Sequence, residues 1–420
     1  MKISLLTYGT RGDVQPFVAL ALGLQKAGHT VRLAAPHRFA GLAAQHNVPF
    51  APLPGDPEEL SRGLNDARGA LAQIRSVTDF AFAIAGDVAR LAFAACDDAD
   101  LIVHGLLFTT GAHSLARSKR IPDVSVQTMP LFAPTRGFPL PAMANLPPGA
   151  LSYASHWMFT QVFWHIGNLG YAGLRRDYPD VAGLQLHWPF DPGSPHPTPL
   201  LFAYSPTVLP RPDDWTAPNI HVPGYLFLDS PNGYVPPPSL ADFLAAGDPP
   251  VCVTFGSMVN RRANRIHEIT LAALKQTGQR SVVVRGWGAA GPDQPGDDRL
   301  YLDDAPYDWL FPRCKIILHH GGAGTTSAAL RSGVPSVVVP HAADQAFWGR
   351  RVAALGAGPA PIPLGRLSAA NLAAALVQAD QPAMRECAQV IARLISAEDG
   401  VAAAVRLIEQ AADRSSPERT

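Results

Sequence analysis

A chain of 420 residues, set against the roughly 150 residues of a common domain, has room for two or three domains with cores of their own, which excludes a small scaffold stapled by disulfides or metal. Hydrophobic residues make up 47% and charged residues 16%, too apolar a mix for intrinsic disorder, and the 41 prolines follow no Gly-X-Y period, so the chain is not collagen-like either. The formal net charge is zero, so no overall positive field exists to hold nucleic acid.

In chain order, residues 3–7 read as a short apolar strand, residues 9–16 as a loop with two glycines, and residues 17–26 as a helix whose periodicity stops at Gly28, a natural C-cap. Residues 30–35 read as the second strand, with further buried strands at 101–104 and 124–127 and helical stretches between them. A parallel, doubly wound sheet is the economical topology. From Gly137 to Leu174 there is no Asp, Glu, Lys or Arg. The length would suit a membrane span, but Ser152, Ser155, His156, Gln161, His165 and Asn168 make the run too polar for a bilayer centre. A buried helix is the expectation, with the wall of an apolar pocket and a surface helix carrying aromatic anchors as alternatives. Residues 189–238 hold 14 of the 41 prolines. Proline is barred from helix interiors and central strands, so a domain boundary belongs here, as a semi-rigid hinge segment. The pattern then repeats, with strands at 251–255, 281–285, 316–319 and 336–339. The expected fold class is α/β, with two Rossmann-like doubly wound domains facing a cleft. The four cysteines, Cys96, Cys252, Cys314 and Cys387, form no CxxC pair, and a reducing cytoplasm fits them. The apolar run from Met1 to Tyr8 is too short for the core of a secretory signal.

The sharpest motif, His319-His320-Gly321-Gly322-Ala323-Gly324-Thr325-Thr326, joins the strand at 316–319 to a helix running to about Arg331. Small residues at a helix N-terminus leave backbone N–H groups free and the dipole favours an anion there, so this turn suits a pyrophosphate, with Thr325 and Thr326 adding hydroxyl donors. A tight turn that needs glycine only for its conformation would look the same; His320, able to donate to a phosphate oxygen, favours the functional reading. His319 and His320 make a poor metal pair, because neighbours on a strand point to opposite faces. Asp344-Gln345 follows the strand at 336–339 on the same carboxyl edge. A carboxylate accepting from two adjacent hydroxyls, beside an amide that donates and accepts, suits a sugar ring, whereas Asp344 alone can be a plain helix N-cap.

Asp13, in Gly9-Thr10-Arg11-Gly12-Asp13-Val14-Gln15-Pro16, would face the cleft, either as a general base or as a helix cap. Ser257 offers a hydroxyl to an anion after the strand at 251–255, and Arg285 and Trp287 offer a guanidinium and a flat indole at the end of the next. Each of these alone is more often packing than ligand. One competing pattern is present: Gly322 and Gly324, with Asp344 twenty residues on, imitate a dinucleotide fingerprint, although Ser327 stands at its third glycine.

Together these segments resemble the GT-B superfamily of nucleotide-sugar glycosyltransferases, and within it the sterol or lipid glucosyltransferase group. The likeness runs through Gly9 to Phe17, Gly55-Asp56-Pro57, Thr128-Met129-Pro130, Pro134-Thr135-Arg136, Pro210 to Trp215, Gly247 to Met258, Asp308 to Pro312, His319 to Thr326, and Asp344-Gln345 with Phe347-Trp348-Gly349. It implies an acceptor-binding domain over residues 1–205, a proline-rich connector over 206–238, and a nucleotide-sugar domain over 239–397. A last helix at about 398–415 would pack back on the first domain. It also implies Asp13 as general base, Ser257, His320, Gly322, Gly324 and Thr325 about the pyrophosphate, Asp344 and Gln345 on the sugar, and the Ala305 backbone on the base. Arg285 and Trp287 remain donor-site candidates, and Met129, Trp157 and Phe159 are candidates for the acceptor pocket. Ala328 stands where plant flavonoid relatives carry a ribose-holding Glu, which leaves the choice between uridine and thymidine donors open.

The function these implications describe is metal-independent, inverting transfer of a hexose, glucose first, from a nucleoside diphosphate to a hydroxyl of an apolar sterol, lipid or polycyclic acceptor. UDP-glucose is the favoured co-substrate, with dTDP-linked sugars as the alternative, and no resident cofactor is called for. The expected partners are therefore the nucleotide sugar and the small apolar acceptor, not nucleic acid. The location is cytoplasmic, with peripheral contact to a membrane left open. An NAD(P)-dependent oxidoreductase, and a non-hydrolysing epimerase or sugar-nucleotide-binding protein on the same fold, are the competing functions.

Overall fold

The computed structural model describes residues 1–59, 70–177, 183–191, 193–194, 197–230, 234–255, 263–285 and 296–415. Among them, twelve strands form two sheets in which every paired strand runs parallel. The first contains β1 (Lys2–Leu6), β2 (Thr30–Pro36), β3 (Phe50–Leu53), β4 (Leu101–His104), β5 (Asp123–Gln127), β6 (Leu200–Phe202) and β7 (Ile220–His221), in the order β3-β2-β1-β4-β5-β6-β7. The second contains β8 (Val251–Thr254), β9 (Ser281–Val284), β10 (Arg299–Leu302), β11 (Ile316–His319) and β12 (Ser336–Val338), in the order β10-β9-β8-β11-β12. Both orders reverse beside their first strand, between β1 and β4 and between β8 and β11. In such sheets a crevice opens at the carboxyl ends of the strands where the order reverses.

The helices are α1 (Arg11–Lys26), α2 (Ala40–Gln45), α3 (Ala70–Ala94), α4 (Thr109–Lys119), α5 (Ala150–Asp177), α6 (Pro238–Ala245), α7 (Ala263–Gln276), α8 (Tyr307–Leu310), α9 (Ala323–Ser332), α10 (Gln345–Ala354), α11 (Ala369–Ala379), α12 (Pro382–Ser396) and α13 (Gly400–Ser415). α1 begins at Arg11, not at Phe17, because Thr10 and Asp13 bond reciprocally at its start. Pro16 lies inside it; there it removes only the N–H that would have bonded the Gly12 carbonyl.

α5 corrects the expectation of a fully buried helix. Ser152, Ser155 and His156 are buried, while Leu151, Trp157, Met158, Val162 and Leu169 are exposed. The buried face carries the polar residues because each finds a local acceptor: Ser152 Oγ donates to the Pro147 carbonyl at 2.8 Å, and Ser155 Oγ to that of Ser152 at 2.6 Å. No helix among the described residues is long and apolar enough to cross a membrane.

α13 crosses back to the first sheet. Its Ala404, Val405, Ile408 and Ala411 join Phe17, Leu20 and Leu24 of α1 in one buried cluster. The crossing turns on backbone contact, since a Cβ at Gly400 would run into the Tyr225 carbonyl oxygen and lie 2.7 Å from the Gly224 carbonyl carbon. Next to it, Glu398 Oε1 accepts from Ser205 Oγ at 2.7 Å and from Thr207 Oγ1 at 2.8 Å.

Within the stretch 206–238, β7 continues the first sheet, and Trp215 is buried with its Nε1 donating to the Ala133 carbonyl at 3.1 Å. The two halves share a core. Phe138, Tyr204 and Trp215 belong to the same buried cluster as Leu330, Phe347, Trp348 and Ile391.

Candidate active site

The crevice beside β1 receives Asp13. The chain leaves β1, turns through Gly9 at φ 148°, and enters α1 at Arg11. Asp13 Oδ2 accepts from Thr10 N at 2.8 Å and from Thr10 Oγ1 at 3.2 Å. A Cβ on Gly9 would lie 2.6 Å from the Asp13 carboxyl carbon, so the turn requires glycine for close approach as well as for its φ. Asp13 is thus both helix cap and cleft residue: one oxygen is committed to Thr10, and Oδ1 accepts no hydrogen bond among the described residues. Burial raises its proton affinity above the ordinary carboxylate value, opposed by the two bonds from Thr10.

Facing it, the crevice beside β8 holds the glycine-rich turn. Gly322 is the N-cap of α9 in extended conformation, and a Cβ there would sit 2.5 Å from His320 Nε2. The first helical bond runs from Thr326 N to the Gly322 carbonyl at 2.9 Å, so the N–H groups before it have no acceptor within the helix. α1 and α9 pack together across it, and a Cβ on Gly324 would lie 3.7 Å from the Gly12 Cα. Arg11 and Asp304 pair over the same gap at 3.2 Å. Thr325, Thr326 and His320 are buried, and neither Thr326 Oγ1 nor His320 Nδ1 has a hydrogen-bond partner among the described residues. Burial, with His319 and His341 nearby, holds His320 well below the ordinary imidazole range, while the Thr254 carbonyl opposes this. His320 is therefore neutral at pH 7.

Asp344 sits at the N-cap position of α10, yet its side chain makes no cap bond. Instead Oδ2 accepts from Trp348 Nε1 at 2.6 Å. Burial pushes its carboxyl up to about 6, Trp348 pulls the other way, and the charge of Asp13 adds to the rise. Gln345 is buried, and its Oε1 accepts from His341 N at 2.7 Å and Ala342 N at 3.1 Å, which commits the oxygen to the loop.

The remaining donor-site candidates divide. Arg285 pairs with Asp303 at 2.9 Å and lies over the Tyr301 ring. The buried methyl of Ala305 anchors its loop in the core with Cys252 and Leu310. Ser257 and Trp287 lie outside the described residues. Among the described residues no group of three or more His, Cys, Asp or Glu is placed to hold a metal ion.

A family model of the glycosyltransferase family 28 N-terminal domain matches residues 3–132, and one of the erythromycin biosynthesis protein CIII-like C-terminal domain matches residues 293–409. A sterol 3-beta-glucosyltransferase of Arabidopsis thaliana is 35% identical over 416 residues, covering 96% of this chain and 67% of that protein. The O-mycaminosyltylonolide 6-deoxyallosyltransferase of Streptomyces fradiae is 36% identical, with 98% of both chains covered. This chain belongs to the GT-B glycosyltransferases. Solved structures agree on the fold: the glycosyltransferase of kitacinnamycin superposes with a TM-score of 0.71 at 20% identity over 98% of this chain and 99% of that one. The glycosyltransferase VinC, solved with dTDP, gives 0.66 at 20% identity over 99% and 100%. The chain spans about two thirds of the plant sterol glucosyltransferases and under a third of a fungal one from Cryptococcus neoformans. Membership displaces the dinucleotide pattern, and the geometry agrees, since Asp344 lies beyond the end of β12 and bonds Trp348 rather than closing a strand.

In the first half of this glycosyltransferase, Phe159 joins an aromatic cluster around Phe132, with ring centroids 5.6 Å apart. Phe163, Trp188 and Phe190 complete it, at 4.9, 5.5 and 5.7 Å from Phe132. Met129 packs on the same core. Trp157 does not join them, being 54% exposed on another side of α5. Sequence reasoning missed Phe132, whose backbone is left-handed at φ 67°, a strained state for a bulky residue that no residue pattern announces.

Proposed function

We propose that this glycosyltransferase moves a hexose, glucose first among the candidates, from a nucleoside diphosphate to a hydroxyl of an apolar acceptor, with inversion at the anomeric carbon. One observation carries the reading: Asp13 at the start of α1 and the N-terminus of α9 meet across the cleft, with Gly12 against Gly324. A base and an anion site a few ångströms apart suit a reaction that removes a proton at one end and releases a diphosphate at the other. Two of the relatives support a glucosyl donor and a sterol-like acceptor by their names. A neighbour solved with thymidine diphosphate keeps dTDP sugars beside UDP-glucose.

In this mechanism Asp13 takes the proton of the acceptor hydroxyl while Thr10 holds its other oxygen. The acceptor oxygen bonds to the anomeric carbon from the face opposite the diphosphate, and the bond from that carbon to the diphosphate breaks with its electron pair on the leaving oxygen. The N–H groups at the start of α9, with the Thr325 hydroxyl, receive that charge, and His320, whose neutral ring gives its N–H to the Thr254 carbonyl, lines the site beside them. Asp344 and Gln345 hold the sugar hydroxyls, and the aromatic cluster around Phe132 favours a flat, apolar acceptor over a wet one. Charge stabilisation from the protein makes a divalent ion dispensable. With UDP-glucose or dTDP-glucose and a mixed panel of sterols and polyphenols, transfer proceeds at its full rate in excess chelator. Loss of turnover on chelation, restored by added magnesium or manganese, contradicts the mechanism.

A further inference from the structure

Three imidazoles gather at the carboxyl edge of the second sheet, and one of them, His341, has no role in the mechanism above. β11 lies between β8 and β12. Phe255 is the first residue beyond β8 and His341 the third beyond β12, and their rings stack with centroids 5.2 Å apart at 28°. The pair therefore arches over the end of β11, where His320 and the glycine-rich turn begin. The loop that carries His341 is held firmly: Gln345 Oε1 accepts the backbone N–H groups of His341 and Ala342, and Ala343 takes φ 54°. Non-glycine residues occupy that left-handed region at a cost, and such strain concentrates at ligand sites.

Both ring nitrogens of His341 are buried without a partner among the described residues. His319 and His320 each add one such nitrogen, Nε2 and Nδ1 respectively. Gly321 N donates to His319 Nδ1 at 3.1 Å, which places the proton of a neutral ring on Nε2, and that N–H too is buried and unpartnered. Buried polar atoms without partners are rare in folded proteins. Several on one sheet edge, with no metal-holding cluster among the described residues, call for a ligand that accepts hydrogen bonds.

We propose that His341 contacts the donor, its imidazole donating a hydrogen bond to the diphosphate and completing, with His320 and the N-terminus of α9, the site for the leaving group. The inference rests on the nucleotide-sugar reading. Burial holds His341 down at about 4, so the ring is neutral at pH 7 and has one N–H to give. A hydrogen bond to an anion in a dry site is stronger than one between neutral groups, and it strengthens further as charge develops on the departing diphosphate.

The test is isothermal titration of the full chain with UDP and with dTDP, and ligand-observed NMR with uridine and thymidine, for the wild type, His341→Phe and His341→Gln. Phe preserves the stack on Phe255 and replaces the unpartnered nitrogens with carbon, so its melting temperature is not lowered. Gln keeps an N–H donor. The Phe variant should bind the diphosphates about 10- to 100-fold more weakly with nucleoside binding unchanged, and Gln should recover most of the loss. Equal diphosphate affinity in the Phe variant and the wild type, a Gln variant as weak as Phe, or a parallel loss of nucleoside binding would each overturn the proposal. A wild type that binds neither diphosphate instead removes the nucleotide-sugar reading itself, so the two failures are distinct.

Discussion

Asp13→Asn lowers the rate of glycosyl transfer by about 10²- to 10⁴-fold, the range general-base removal reaches, while donor affinity stays at the wild-type level. The fold survives the change, because an amide oxygen at position 13 still accepts from Thr10 N, the 2.8 Å bond that starts α1. Burial raises the proton affinity of Asp13, and the base acts only when ionised. The acid limb of the wild-type kcat/KM profile therefore lies above the ordinary carboxylate range, and it disappears in the variant. Stopped-flow or product-release assays across pH, paired with titration of UDP, measure both quantities. A variant that transfers sugar at the wild-type rate means that the proton goes elsewhere.

Asp344→Asn separates stability from function. In the folded state the carboxyl of Asp344 is pushed up to about 6, against about 3.9 in an unfolded chain. An acid whose folded value is the higher one favours folding while protonated. That contribution is complete below about pH 4 and is lost as pH rises through about 6. At pH 7 the ionised group then costs up to about 3 kcal/mol, because each tenfold rise in proton affinity is worth about 1.36 kcal/mol. Asn keeps the oxygen that accepts from Trp348 Nε1 and carries no charge. The variant should be more stable than the wild type at pH 7 by about 1–3 kcal/mol, with the difference closing by about pH 4. Donor kcat/KM should nevertheless fall about 10- to 100-fold, as a charged acceptor for two sugar hydroxyls is lost. Denaturant melts at the two pH values, run beside donor kinetics, check both parts. Equal stability at both pH values contradicts the buried, strained carboxylate, and unchanged donor kinetics contradict its contact with the sugar.

The strands legible in the sequence were those buried on both faces. β4, β8, β9 and β11 are apolar or near-apolar four-residue runs, buried throughout, and a parallel sheet covered by helices produces such runs. β3, β6, β7 and β10 left no comparable signal. β7 pairs over two residues, β6 over three, and β10 carries Arg299 and Tyr301 at a half-exposed edge, so length and pattern failed together. The start of α1 was missed because Gly12 and Pro16 look like loop residues, while the reciprocal bonding of Thr10 and Asp13 overrode them.

At the site, the glycine-rich turn, Asp13 and the Asp344-Gln345 pair stood out because their chemistry depends on residues adjacent in the chain. What the sequence withheld depends on contacts across it. The Trp348 bond to Asp344, the arch of Phe255 and His341 over β11, and the close approach of Gly12 to Gly324 are tertiary facts. Trp157 shows the converse: an aromatic residue in an uncharged run suggests a pocket wall, yet its place on α5 turns it to solvent.

The central claim is inverting transfer between Asp13 and the N-terminus of α9, and the configuration of the product tests it most directly. Proton NMR of the glycoside formed from α-linked UDP-glucose or dTDP-glucose should show a β-glycoside. An α-glycoside would contradict the account, because retention of configuration requires a different arrangement of the reacting groups from one base facing one leaving-group site.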